Sequence, residues 1–231
     1  MSETPQQPRS NRMLSAWDSR QQARYREHNA SLVFHFVLDA SPSMLGQHAS
    51  HLRASFNQYL LWLRAHADPM AMAEVRCFSD YLDPSHLVPL GMLTPLTEQS
   101  YDPRQGNGTA LYRAIGETLT TALTSRDGGQ HCLVVFTDGL DNRSEQYHWS
   151  VSKVCEVLQV LVAQQAWLAV FLGAMPNALH VGQALGFARN NCLLMTTDHI
   201  PEAFTTLTTA TQRYLQAGPQ QRKLLTQAGV F

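Results

Sequence analysis

The side chains best placed for chemistry in this chain carry oxygen. In Asp39-Ala40-Ser41-Pro42-Ser43, an acid and two hydroxyls stand at alternating positions on a turn stiffened by Pro42. Such small hard-oxygen groups can face a cation such as Mg²⁺ without bulky side chains intervening. The same residue types also cap helices, and this stretch alone does not separate the two readings. Farther along, Thr109 follows Gly106-Asn107-Gly108, and Asp138 sits in Thr137-Asp138-Gly139. Thr109 stands at the mouth of a helix and suits a cap equally well. Taken together, Asp39, Ser41, Ser43, Thr109 and Asp138 give two carboxylates and three hydroxyls, with no imidazole or thiol. That donor set suits Mg²⁺, Mn²⁺ or Ca²⁺ and matches zinc poorly.

These residues need elements to bring them together. Leu32 to Leu38 is a nearly unbroken apolar run, as is Cys132 to Phe136. Each reads as a strand buried on both faces, as in the middle of a parallel sheet. Each ends in an acid and a turn. In open α/β sheets, sites gather at the carboxyl ends of the strands. If the two strands are neighbours, their ends meet.

The other elements follow in order. Leu52, Phe56, Tyr59, Leu60 and Leu63 fall at helical spacing, and that helix should end near Asp68-Pro69. Met72 to Ser79 alternates and reads as a half-exposed strand. His86 to Met92 reads as a third, held to the sheet edge by Pro89. A long connection runs from Thr94 to Gly108, a length often put to functional use. Helices are expected around Leu111 to Ala122 and Val151 to Val162, then a short one opened by Pro176 and Asn177 and carrying Val181, Ala184 and Leu185, and one from Pro201 to Tyr214. Strands are expected at Trp167 to Leu172 and Cys192 to Met195, and Asp127-Gly128-Gly129 reads as a turn. Alternating strands and helices imply an α/β fold with a mostly parallel sheet between helical layers. Residues 1–30 read as a polar tail, with a possible helix from Met13 to His28 carrying Trp17 and Tyr25. The body covers 31–216, and 217–231 reads as a polar tail with an apolar end.

Composition excludes several functions. The chain has 231 residues, 44% of them hydrophobic and 15% charged, with a formal net charge of -1. That balance gives no electrostatic drive toward nucleic acid or an anionic membrane. Lys153 and Lys223 are its only lysines and neither follows a glycine, so a P-loop ATPase is not expected. Cys77, Cys132, Cys155 and Cys192 form no CxxC pair and read as buried thiols in a reducing compartment. No signal peptide or membrane-length apolar run is evident. A cytoplasmic protein is the expectation.

With Asp39-x-Ser41-x-Ser43, Gly108-Thr109 and Thr137-Asp138-Gly139 in this order, the chain resembles the metal-ion-dependent adhesion site of von Willebrand factor A-type (VWA) domains, also found in integrins. The resemblance spans about Ser31 to Tyr214, and the chain resembles intracellular bacterial members of the family. It implies a Rossmann-like three-layer α/β/α sandwich with an antiparallel edge strand. It also implies roles: Ser41, Ser43 and Thr109 as direct hydroxyl ligands, with Asp39 and Asp138 acting mainly through bound waters. A carboxylate of a partner protein would complete the coordination. Cytoplasmic members often work inside multiprotein assemblies, some with AAA+ ATPases, and the resemblance implies a partner of that kind. Asp141 receives no role from it and reads as a turn stabiliser.

Binding rather than catalysis is therefore expected. A metal-dependent hydrolase, phosphatase-like, is the alternative. Against it, Asp39-Ala40-Ser41 lacks the second acid of an aspartyl-phosphate phosphatase, and no GxSxG elbow occurs. A structural subunit whose metal only staples loops is a further alternative. Arg104, Arg143, His148 and His180 are candidate rim contacts, or solvated surface groups. His35, inside the first strand, reads as a satisfied core residue. A site at a loop edge outside the core would tolerate Asp39→Ala without unfolding.

Overall fold

The computed structural model of the chain describes residues 32–124, 129–164 and 167–231. The expected tail at 1–30, its helix, and the Asp127-Gly128 turn lie outside the described residues. Among the described residues, six strands form one sheet: β1 (Leu32–Asp39), β2 (Met72–Phe78), β3 (Val88–Pro89), β4 (Gln130–Thr137), β5 (Leu168–Gly173) and β6 (Cys192–Leu194). Their order is β3-β2-β1-β4-β5-β6. All neighbours are parallel except β2 and β3, so the edge strand is antiparallel, as expected. The helices are α1 (Gln47–His66), α2 (Leu111–Thr124), α3 (Val151–Gln164), α4 (Ala178–Ala184), α5 (Ile200–Gln216) and α6 (Pro219–Ala228).

Burial on both faces explains the unbroken apolar runs. Leu32, Phe34, Phe36 and Leu38 face one layer, with Phe56 and Tyr59 of α1 and Phe204 of α5. Val37, Leu133, Val135 and Phe171 face the other, with Ile115 and Leu119 of α2 and Leu158 of α3. The ring of Phe36 meets Phe56 and Tyr59 edge-on, at centroid distances of 5.1 and 6.1 Å. Each such fully buried side chain contributes about 1.5–3 kcal/mol. Tyr59 is buried in this layer, and its hydroxyl meets the Thr211 hydroxyl at 2.7 Å, tying α1 to α5.

Three expectations change. β2 is buried along almost its whole length, not half-exposed, because α2 covers one face and α1 the other. The strand expected at His86 to Met92 shrinks to Val88–Pro89 and turns into a 3-10 helix at Leu90–Met92. Pro89 has no N–H to continue the ladder. The stretch read as a C-terminal tail contains α6, and Val230 beyond it is buried. Arg222 donates to Gln130 Oε1 at 2.5 Å, and the Phe231 N–H donates to Asn190 O at 3.0 Å. The chain end is thereby fastened at the amino edge of the sheet.

Candidate metal centre

β1 and β4 are direct neighbours, with Leu38 opposite Phe136. Their carboxyl ends therefore deliver Asp39 and Asp138 to one place. The Ser41 and Ser43 hydroxyls lie 2.9 Å apart, and Ser43 Oγ donates to Asp138 Oδ1 at 2.7 Å. A Cβ built on Gly139 would stand 3.4 Å from Thr109 Oγ1 and 3.9 Å from Ser43 Oγ, so Thr109 joins the same cluster. All five sequence-derived residues converge.

The helix-cap alternative is not what the hydroxyls do. Ser41 opens a 3-10 turn at Pro42–Met44 but makes no side-chain cap bond. A cap at Thr109 would reach the Tyr112 N–H, which instead donates to Asp141 Oδ2 at 2.8 Å. The next N–H, of Arg113, donates to Ser144 Oγ at 2.9 Å. Asp141 also accepts from the Ser144 N–H at 3.0 Å. It thus joins the loop after β4 to the start of α2, a longer reach than the local turn expected of it.

Asp39 is not at an exposed loop edge. It is fully buried as the last residue of β1. Its Oδ1 accepts from the Ser41 N–H at 2.8 Å, and its Oδ2 accepts from Thr137 Oγ1 at 2.6 Å. Burial, and then the nearby Asp138 charge, push its carboxyl up from the ordinary 3.8 to about 7. These outweigh the hydrogen bonds from Ser41 and Thr137, which pull the other way. Asp138 is also raised, chiefly by burial, with the Ser43 bond opposing. Two desolvated carboxylates at one point make a place where positive charge is favoured.

Side chains that the sequence reading did not single out hold the site. Tyr101 is buried and its hydroxyl donates to the Asp39 carbonyl. The Leu96 N–H donates to Asn57 Oδ1 at 2.7 Å, and Asn57 Nδ2 donates to Leu96 O at 2.9 Å, so the long connection is pinned to α1. Ser79 Oγ donates to Gly108 O at 2.5 Å, and the Thr109 N–H donates to Asn142 Oδ1 at 2.9 Å. These partners lie far apart in sequence and carry no local signature. Among the rim candidates, Arg143 donates to Asn107 O at 3.0 Å, and Arg104 pairs with Asp102 at 2.7 Å in solvent.

Gly108 has a backbone φ of +142°, and an added Cβ would stand 2.6 Å from Arg143 Nε and 2.9 Å from Asn142 Oδ1. Gly108→Ala is expected to destabilise the protein by ~1–3 kcal/mol. Urea unfolding of the two proteins measures it; equal midpoints would refute the strain.

Among the described residues, no group of three or more histidine, cysteine, aspartate or glutamate side chains is placed to hold a metal ion. A cation at this site would depend on the hydroxyls. The donor chemistry nevertheless fits a hard divalent cation: two carboxylates and three hydroxyls gather at one edge of the sheet, and Gly139 puts no side chain between Thr109 Oγ1 and Ser43 Oγ.

No family model matches the chain, and no curated protein does. Solved structures match it in fold. The pilus adhesin SpaC from Lactobacillus rhamnosus GG gives a TM-score of 0.62 at 11% identity, covering 78% of this chain and 30% of its own. Proximal thread matrix protein 1 from the mussel byssus gives 0.57 at 11% identity, covering 80% and 49%. The ArnB paralog VWA2 from Sulfolobus acidocaldarius gives 0.53 at 14% identity, covering 79% and 45%. This chain therefore spans less than half of each of these three. The fold is α/β and VWA-like. At such identities the likeness is one of fold.

Proposed function

We propose that the chain is a metal-dependent protein-binding module. Asp39, Ser41, Ser43, Thr109 and Asp138 would hold Mg²⁺, or Mn²⁺ or Ca²⁺, and an acidic residue of a partner protein would be captured there. The observation that carries this reading is the chain of contacts from Ser41 Oγ to Ser43 Oγ to Asp138 Oδ1, with Thr109 Oγ1 at its side. A divalent cation supplies Lewis acidity, and neutral hydroxyl ligands leave it most of its charge for an incoming carboxylate. The protein's part is positional. Thr137 and the Ser41 N–H orient Asp39, Asn142 orients Thr109, and Tyr101 fixes the end of β1.

The reading extends to a non-enzymatic protein of the cytoplasm working in a multiprotein assembly, an AAA+ ATPase among the expected partner types. The four unpaired cysteines support a reducing compartment. Among the described residues, no helix is long and apolar enough to cross a membrane.

Calorimetric titration with Mg²⁺ tests the core of the proposal. Wild type should give a saturable single-site isotherm, and Ser43→Ala should lose at least tenfold in affinity. A carboxylate-bearing peptide on a sensor surface should be retained in Mg²⁺ and released by EDTA. Equal retention in EDTA would reject metal-bridged capture, and turnover of a phosphoester by wild type but not Ser43→Ala would move the protein to the hydrolases.

A further inference from the structure

A groove of about 590 Å³ opens at the same carboxyl edge, between the ends of β5 and β6 and the first turns of α5. Its floor and walls are apolar: Met175, Leu193, Met195 and Ala203, with Leu194 46% exposed at its mouth. His199 and Glu202 stand on its polar side. The groove adjoins the candidate metal centre. The Ala174 N–H, at its near end, donates to Thr137 O at 2.9 Å, one residue before Asp138. The centre lies between the ends of β1 and β4, so the groove begins about 7 Å away, over β5, and extends to about 12 Å, over β6.

That span fixes what would fill both places at once. In an extended peptide, residues two apart lie ~7 Å from each other and point to the same side. An acid over the centre thus puts its second neighbour over the groove. The Glu202 carboxylate at the rim repels a second acid, and the apolar lining favours a large hydrocarbon side chain.

Resting on the metal-binding reading above, we propose that this groove is the second anchor of the same interface. Its occupant is an extended partner segment in which a large apolar residue stands two positions from the metal-seeking acid. The groove sets which acidic segments are taken, and the cation centre supplies the demand for an acid.

The test uses the full-length protein with immobilised peptides. Each carries one aspartate in a glycine-serine background, with leucine, lysine, glutamate or glycine scanned through the flanking positions. In Mg²⁺, leucine two positions from the aspartate should tighten binding about tenfold over glycine there, and glutamate should weaken it. Leu194→Asp, at an exposed site, should erase the leucine preference while leaving Mg²⁺ affinity and the aspartate-only peptide unchanged. Metal-dependent capture with no positional preference would overturn this inference alone. No Mg²⁺ binding by calorimetry would overturn the metal reading and this inference with it. A concentration-dependent dimer dispersed by Leu194→Asp would assign the groove to a second copy of the chain and refute the partner segment.

Discussion

In EDTA, wild-type protein is expected to lose ~2.5 kcal/mol of stability between pH 5 and pH 8, and Asp39→Asn to lose much less. The buried carboxyl of Asp39 holds its proton up to about pH 7 in the folded state. In the unfolded chain it releases that proton near 3.8. Between those values the folded state binds more protons than the unfolded one, so stability falls as pH rises. The separation corresponds to ~4 kcal/mol once both states are ionised. Asparagine keeps an acceptor for the Ser41 N–H, and Thr137 Oγ1 can still donate to Gly139 O at 3.1 Å. The variant thus removes the charge and spares the hydrogen bonds, which Asp39→Ala would not. At pH 8 in EDTA it should melt about 10 °C above wild type. Adding Mg²⁺ should raise the wild-type midpoint at pH 8, much less at pH 5, and leave the variant unmoved. Scanning calorimetry across pH, with and without Mg²⁺, decides it. Parallel pH profiles for the two proteins would show that Asp39 carries no such penalty.

The residues of the candidate centre were legible in sequence because each ends, or directly follows, an element with a strong pattern. Two doubly buried strands end in Asp39 and Asp138, and a glycine-flanked loop before an amphipathic helix supplies Thr109. Their supports were not legible. Tyr101, Asn57 and Ser79 act across separations that only the tertiary fold creates, and nothing in their neighbourhoods announces it. The half-exposed reading of β2 failed for a different reason. Glu74 and Arg76 gave that strand its alternation, yet both are buried, because each finds polar partners inside the domain. The C-terminal stretch failed because Gln220, Gln221 and Arg222 look like tail composition. α6 docks through Leu225 on the core, through Arg222 to Gln130 and the Tyr214 and Leu215 carbonyls, and through Asn190 and Asn191 near its carboxyl end, not through a wide apolar stripe.

Glu74→Ala is expected to cost ~3–5 kcal/mol, with the affinity for Mg²⁺ unchanged. Glu74 lies midway along β2, opposite His35 of β1. Its Oε1 accepts from His35 Nδ1 at 2.7 Å, and its Oε2 accepts from Ser85 Oγ at 2.6 Å. His35 Nε2 lies 3.0 Å from His131 Nδ1, and the two imidazoles stack with each other and with Trp167 at centroid distances of 5.3, 5.5 and 4.4 Å. With the carboxylate ionised, Nδ1 of His35 must donate to it. The opposite ring nitrogen, Nε2, meets His131 Nδ1, so one carboxylate orients two rings. Burial alone would push the Glu74 carboxyl up, but the His35 and Ser85 hydrogen bonds and the His35 and Arg76 charges together hold it below the ordinary 4.5. A carboxyl held low contributes stability above about pH 4.5 and loses it as pH falls through the folded value. Wild type should therefore weaken as pH falls below about 4.5. Glu74→Gln, which keeps one acceptor for His35, should be milder than alanine at neutral pH and lose this acid dependence. Urea unfolding at pH 7 and pH 4 reads both effects. An alanine variant within ~1 kcal/mol of wild type at pH 7 would mean that solvent replaces the carboxylate and that the network is not closed.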